Sequence, residues 1–142
     1  MSLGLYLHIP YCFSKCRYCD FYSHPGERGV PDAYVDALLR ELDRFAPERP
    51  LQPDTLYFGG GTPSLLRPEQ VKRLIDAARP LPGAEITLEA NPETVTPASL
   101  AGFREAGVNR ISFGVQSARD SQLRTLGRPH TAKQARAAFA AA

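Results

Sequence analysis

The chain has no apolar run approaching the roughly 20 residues a membrane-spanning helix needs, so its 142 residues read as a soluble globular domain. It also lacks an excess of either charge. Seventeen basic against fifteen acidic residues leave a formal net charge of +2, too small and too dispersed for a nucleic-acid or membrane surface. Lysine is scarce, at Lys15, Lys72 and Lys133 only; with arginine, alanine and proline plentiful, this reads as genome composition. No repeat or low-complexity linker divides the chain. Cysteine is the scarcity that informs: all three, Cys12, Cys16 and Cys19, fall within eight residues as C-x3-C-x2-C. An odd count in a chain that is neither small nor cysteine-dense argues against a disulfide framework.

Three thiols in one loop point to a metal. A structural zinc or iron–sulfur site takes four protein ligands, so three thiolates leave one coordination position open, and an open position is where chemistry happens. Two other readings stand beside this one: the cysteines are incidental, or they bind zinc with His8 or His24 as fourth ligand. Zinc sites usually bring their ligands as two separated pairs, and no second pair follows.

Strand and helix patterns alternate along the chain, the signature of parallel βα units. Strands read as Leu5–Ile9, Thr55–Phe58, Ala84–Glu89 and Arg110–Val115. Asp32 opens a helix with Val35, Leu38, Leu39, Leu42 and Phe45 at helical period, and Pro68 opens one carrying Val71, Leu74, Ile75 and Ala78. Thr96-Pro97 starts a helix that Gly107 closes, Ala118–Leu126 stops at Gly127, and Thr131 caps an alanine-rich helix. Ala46–Pro53 and Pro80–Gly83 read as loops. Alternation puts Tyr6 and His8, then Glu85, Thr87 and Glu89, then Ser112, Gly114 and Gln116 on one polar face. A parallel sheet covered on both sides reads as continuous apolar runs. A shared polar face therefore implies a lumen for a polar ligand, or an open sheet with one solvated side. His8, Glu89 and Gln116 lie toward the strand C-termini, where barrel active sites are built. The second strand runs into Gly59-Gly60-Gly61-Thr62, which lacks the signatures of phosphate or dinucleotide loops and reads either as a ligand cradle or as a tight turn. His24 and His130 read as loop histidines. Four βα units cannot close an eight-stranded barrel, and the last helix carries no stop signal. The expectation is a truncated core domain over residues 1–142, with further barrel strands and a C-terminal domain absent.

Taken together, Tyr6-Leu7-His8-Ile9-Pro10-Tyr11-Cys12 through Cys16-Arg17-Tyr18-Cys19-Asp20-Phe21, then Phe58-Gly59-Gly60-Gly61-Thr62-Pro63-Ser64, Glu89-Ala90-Asn91-Pro92-Glu93 and Gly114-Val115-Gln116-Ser117, resemble one branch of the radical S-adenosylmethionine (SAM) superfamily. That branch holds oxygen-independent coproporphyrinogen III oxidase and its paralogue, a haem chaperone. The resemblance implies an α/β fold, the first four βα units of a partial, open (βα)6 barrel. It implies a 4Fe-4S cluster on Cys12, Cys16 and Cys19, with the fourth iron left to SAM. It places Tyr6 and Tyr18 beside the cluster and the SAM adenine, Gly60, Gly61 and Thr62 at the SAM amino-acid end, and Glu89, Gln116 and Arg128 as polar SAM contacts. In the oxidase a further cysteine stands two residues past the third ligand. Phe21 stands there in this sequence, and Cys19-Asp20-Phe21 with Ser23-His24 resembles the chaperone. The implied partners are haem or a porphyrin, haem-acceptor proteins and an electron donor, in the cytoplasm, with any haem site beyond Ala142. The alternative is SAM-dependent radical decarboxylation of a porphyrinogen.

Overall fold

The computed structural model describes residues 2–25, 28–45 and 51–142, so part of the loop expected at Ala46–Pro53 lies outside the described residues. The elements follow as β1 (Gly4–Ile9), β2 (Tyr11–Cys12), β3 (His24–Pro25), α1 (Asp32–Phe45), β4 (Thr55–Gly60), α2 (Pro68–Ala78), β5 (Glu85–Ala90), α3 (Pro97–Ala106), β6 (Arg110–Phe113), α4 (Asp120–Leu126) and α5 (Ala132–Ala141). Strands β1, β4, β5 and β6 form one parallel sheet in that order, and β2 pairs with β3. The alternation read from sequence thus gives four parallel βα units of a partial, open barrel. Among the described residues no helix is long and apolar enough to cross a membrane.

The register explains the two faces. Leu7, Phe58, Leu88 and Ile111 form one row across the four strands. The first three of them are at most 5% exposed and pack with Val71, Leu74 and Ile75 of α2 and Phe103 of α3. Burying each such side chain contributes about 1.5–3 kcal/mol, which is the main force holding helices to sheet. The next row, Tyr6, Tyr57, Thr87 and Arg110, faces the opposite way. This is the polar face, but its base is filled: Arg110 Nη1 donates to Thr87 Oγ1 at 3.2 Å and Thr87 is 1% exposed. The space is left at the C-terminal ends of the strands.

The helix signals act as the chemistry requires. Thr96 Oγ1 accepts from the Ser99 amide, and Gly107 takes a left-handed φ of 116° to end α3. Thr131 caps α5 in the same way. One side-chain position and two element boundaries differ from the sequence reading in ways that bear on the core and the cleft. Phe45, at the end of α1, is exposed. Helix α4 starts at Asp120 and not at Ala118, because the Ser117 hydroxyl takes the Arg119 amide in a turn. Strand β6 stops at Phe113, because the Val115 amide turns back to the Phe113 carbonyl at 2.9 Å. Gln116 therefore lies past the strand and not on its face.

The glycine run joins the sheet to the cysteine loop. The Gly61 amide donates to Ile9 O at 2.8 Å and the Thr62 amide to Tyr11 O at 2.7 Å, so the segment just after β4 grips the chain directly before and after Pro10. A Cβ on Gly61 would stand 2.6 Å from the Tyr11 carbonyl oxygen and 2.9 Å from Cys12 Sγ. Backbone cannot swing away from that contact. Gly61→Ala is expected to lower unfolding free energy by about 1–3 kcal/mol, read as a lower denaturant midpoint at unchanged slope; an unchanged midpoint would show that the loop is not seated on this glycine.

Candidate metal and cofactor centre

The loop carrying the cysteines is closed at its base by β2 and β3, where Tyr11 pairs with His24 and the His24 amide donates to the Pro10 carbonyl at 2.6 Å. Inside it the Cys19 amide turns back to Cys16 O at 3.1 Å, and the Arg17 amide reaches the Leu126 carbonyl at 3.3 Å. The loop is thus tied both to its own strand and to the end of α4. All three thiols are free; Cys12 is buried and the other two are half-buried.

They line a cleft of about 300 Å³ at the C-terminal ends of the strands, a volume at the small end of small-molecule sites. Tyr18, Gly60, Gly61, Thr62, Glu89, Gln116 and Arg128 line it too, as does Phe21. Tyr6 is not brought there: its ring stacks on Tyr57 at 6.0 Å and its hydroxyl lies 3.1 Å from His8 Nδ1. Glu89 is held by both oxygens, Oε1 accepting from Tyr57 OH at 2.7 Å and Oε2 from the Gly60 amide at 3.2 Å. Since the Gly60, Gly61 and Thr62 amides all have protein acceptors, what this segment can offer an ammonium group is its carbonyl oxygens.

Arg128 is the hub. Its Nη1 donates to Cys16 Sγ at 3.0 Å, and its Nη2 to Asn91 Oδ1 at 2.7 Å and to the Gly114 carbonyl. The residue is 9% exposed, its Nε is buried with no partner among the described residues, and no carboxylate pairs with it there. A buried cation without an anion is costly, so the position suits negative charge arriving in the cleft. Asn91 was not singled out from the sequence. It accepts from Arg128 and donates through Nδ2 to Thr62 Oγ1 at 3.3 Å, and Thr62 Oγ1 in turn lies 3.6 Å from Cys12 Sγ. Its place inside the Glu89–Glu93 motif was the signal that could have found it.

The donor set fits a cluster better than a single ion. Among the described residues no three His, Cys, Asp or Glu side chains converge as ligands of one metal. His8 Nε2 lies 3.2 Å from the Tyr22 carbonyl and the His24 ring packs against Tyr11 and Tyr22, so neither stands with the thiols as a fourth zinc ligand. A cubane takes each thiolate at a different iron, so its cysteines need not meet at a point.

The profile of the radical SAM superfamily matches residues 6–142. The chain belongs to the radical SAM superfamily. Its relatives include the heme chaperone HemW of Escherichia coli, 47% identical over 96% of this chain and 38% of that protein. Another is the mitochondrial radical S-adenosyl methionine domain-containing protein 1 of Bos taurus, 42% identical over 93% of this chain and 31% of that protein. Among solved structures, coproporphyrinogen III oxidase (HemN) from Escherichia coli, described as a radical SAM enzyme, superposes with a TM-score of 0.86 at 31% identity over 99% of this chain and 34% of its own. The chain thus spans less than two fifths of the length of these proteins.

Behind the cleft of this radical SAM domain the Tyr57 phenol is pushed up to about 12, first by its hydrogen bond to Glu89, then by burial and the carboxylate's charge. The folded state favours the neutral phenol, so this contribution to stability is complete below the ordinary value of 10.0 and is lost as pH rises through about 12. In a tyrosinate absorbance titration Tyr57 should ionise late, and Glu89→Gln should bring it down toward its ordinary value. Ionisation of Tyr57 with the ordinary tyrosines in both proteins would refute the Tyr57–Glu89 bond.

Proposed function

We propose that Cys12, Cys16 and Cys19 hold a 4Fe-4S cluster with one iron open to SAM, and that the complete protein is a haem chaperone that binds haem and passes it to acceptor proteins. The observation that carries the cluster is the gathering of three free thiols, an anion-poor buried arginine and a held carboxylate around one cleft. A cluster with SAM on its open iron supplies one-electron chemistry when bound. The chain's own residues do the binding. The Glu89 carboxylate and the carbonyls of Gly60 and Gly61 accept from the SAM ammonium. Gln116 hydrogen-bonds the ribose hydroxyls, Arg128 attracts the SAM carboxylate, and Tyr18 covers the adenine. Thr62, tied to Asn91 and Cys12, keeps the glycine segment in place. Tyr6 acts from behind, its ring against Tyr57, which holds Glu89.

Choosing the chaperone rests on the name of the Escherichia coli relative and on Phe21, which lines the cleft with an exposed apolar ring. The second reading, an oxygen-independent coproporphyrinogen III oxidase, is favoured by the close superposition on HemN. The chain spans 38% of the length of the Escherichia coli relative, so on the chaperone reading the haem-binding residues belong to the part of the protein outside this chain; in either reading an electron donor serves the cluster in the cytoplasm.

The test is an anaerobic assay of the full-length protein with reconstituted cluster, reductant, SAM and coproporphyrinogen III, run beside a haem titration. Stable haem binding without protoporphyrinogen IX is expected, and about four irons per chain should be lost when any one of Cys12, Cys16 or Cys19 becomes Ala. Many turnovers to protoporphyrinogen IX would replace the chaperone with the oxidase. Tight zinc with no iron uptake would remove both.

A further inference from the structure

His130, read from the sequence as a loop histidine, is 2% exposed, and both of its ring nitrogens face oxygen. Nδ1 lies 2.9 Å from Glu93 Oε2 and Nε2 lies 3.1 Å from the Val115 carbonyl. The ring is clamped between two oxygens, one beyond each strand exit, and lies within hydrogen-bond distance of both. Two residues earlier Arg128 bonds Cys16, Asn91 and Gly114, so the same short segment reaches both strand exits twice.

What the ring holds matters for the cleft. Val115 has left the β6 ladder, and the next residue, Gln116, sits at φ 70°, a conformation that side-chain-bearing residues rarely take. Such a residue is strained and persists only where its surroundings over-determine it. The Val115 carbonyl is fixed twice, by the Ser117 amide at 2.9 Å and by His130. Glu93 is fixed as well, within the 3-10 turn Pro92–Thr94, where Thr94 Oγ1 accepts the Asn91 amide and meets Ser64 Oγ. The ring thus ties the exit of β5 to the exit of β6.

We propose that His130 is a positioning residue: its ring, held by Glu93, fixes the Val115 carbonyl and so sets Gln116 against the cleft. The functional half rests on the reading of that cleft as a SAM site. The clamping of the ring does not, and it is measured separately.

Two readouts test it on the reconstituted protein. Nitrogen-15 spectra of the imidazole rings should show, among three histidines, one ring with a hydrogen-bonded N–H protected from solvent exchange that disappears in His130→Asn; a ring N–H at His130 that exchanges as freely as an exposed one would overturn the proposal. SAM titration supplies the other arm. Asparagine places its amide near Nδ1 and keeps the Glu93 contact but does not reach Val115, so affinity should fall on the order of tenfold with cluster absorption unchanged. Glutamine places its amide near Nε2, and His130→Gln should restore binding to within about threefold of wild type. Equal affinity in wild type and His130→Asn would overturn the positioning role. Should His130→Asn not fold, Glu93→Gln takes its place, with the protection of the ring N–H reduced and SAM weakened. Wild type that binds no SAM would defeat the cleft reading, and the ring spectrum would then decide the proposal.

Discussion

One buried guanidinium holds the cleft together. Arg128 reaches from the link between α4 and α5 to the Cys16 thiol, the Asn91 side chain and the Gly114 carbonyl. Those groups belong to the cysteine loop, the exit of β5 and the exit of β6. A lysine would deliver charge but not three directed bonds from a planar fork. The cost of burying the cation is offset only where its N–H groups are used and negative charge comes near. Both conditions suit an anionic group at one point, where the strand ends, the thiols and Arg128 line a single cleft.

The sheet supplies the rest by geometry. Parallel strands bring all four C-terminal ends to one side, and the alternation of rows puts apolar residues under the helices and polar ones in the lumen. The lumen is not uniformly open: Arg110 and Thr87 close its base, while Tyr57 and the Gly60 amide fix the Glu89 carboxylate near the top. Gly60 and Gly61 serve different needs in adjacent positions. Gly60 takes a φ of 116°, and Gly61 leaves room for Tyr11 and Cys12.

The βα alternation was legible because helix and strand periods are local and because proline, threonine and glycine mark helix ends. Helix α3, from Thr96 to Gly107, appears where its caps put it. The three thiols, Glu89 and the glycine run were legible as chemistry because unusual residues sit close together in sequence. What depends on distant pairing was not legible. The two-residue bridge between β2 and β3 has no periodicity to read. Placing Gln116 on the strand face assumed that β6 continued, but Val115 turns out of the ladder with its carbonyl held by His130. Tyr6 follows the strand alternation yet contacts Tyr57 and not the cleft, since its side chain lies too far below the strand ends. His130 and Asn91 each meet a partner 37 residues away, Glu93 and Arg128 respectively, a pairing that no local pattern shows.

The central claim is that the cysteine loop and the strand ends form one site, with a coordination position open between them. Low-temperature electron paramagnetic resonance of the reduced, reconstituted protein tests it most directly, recorded with and without SAM. The account predicts a cluster signal whose g values and line shape change when SAM is added, and a smaller change in Glu89→Ala, whose substitution lies outside the cysteine loop. A cluster signal that SAM leaves untouched would contradict it.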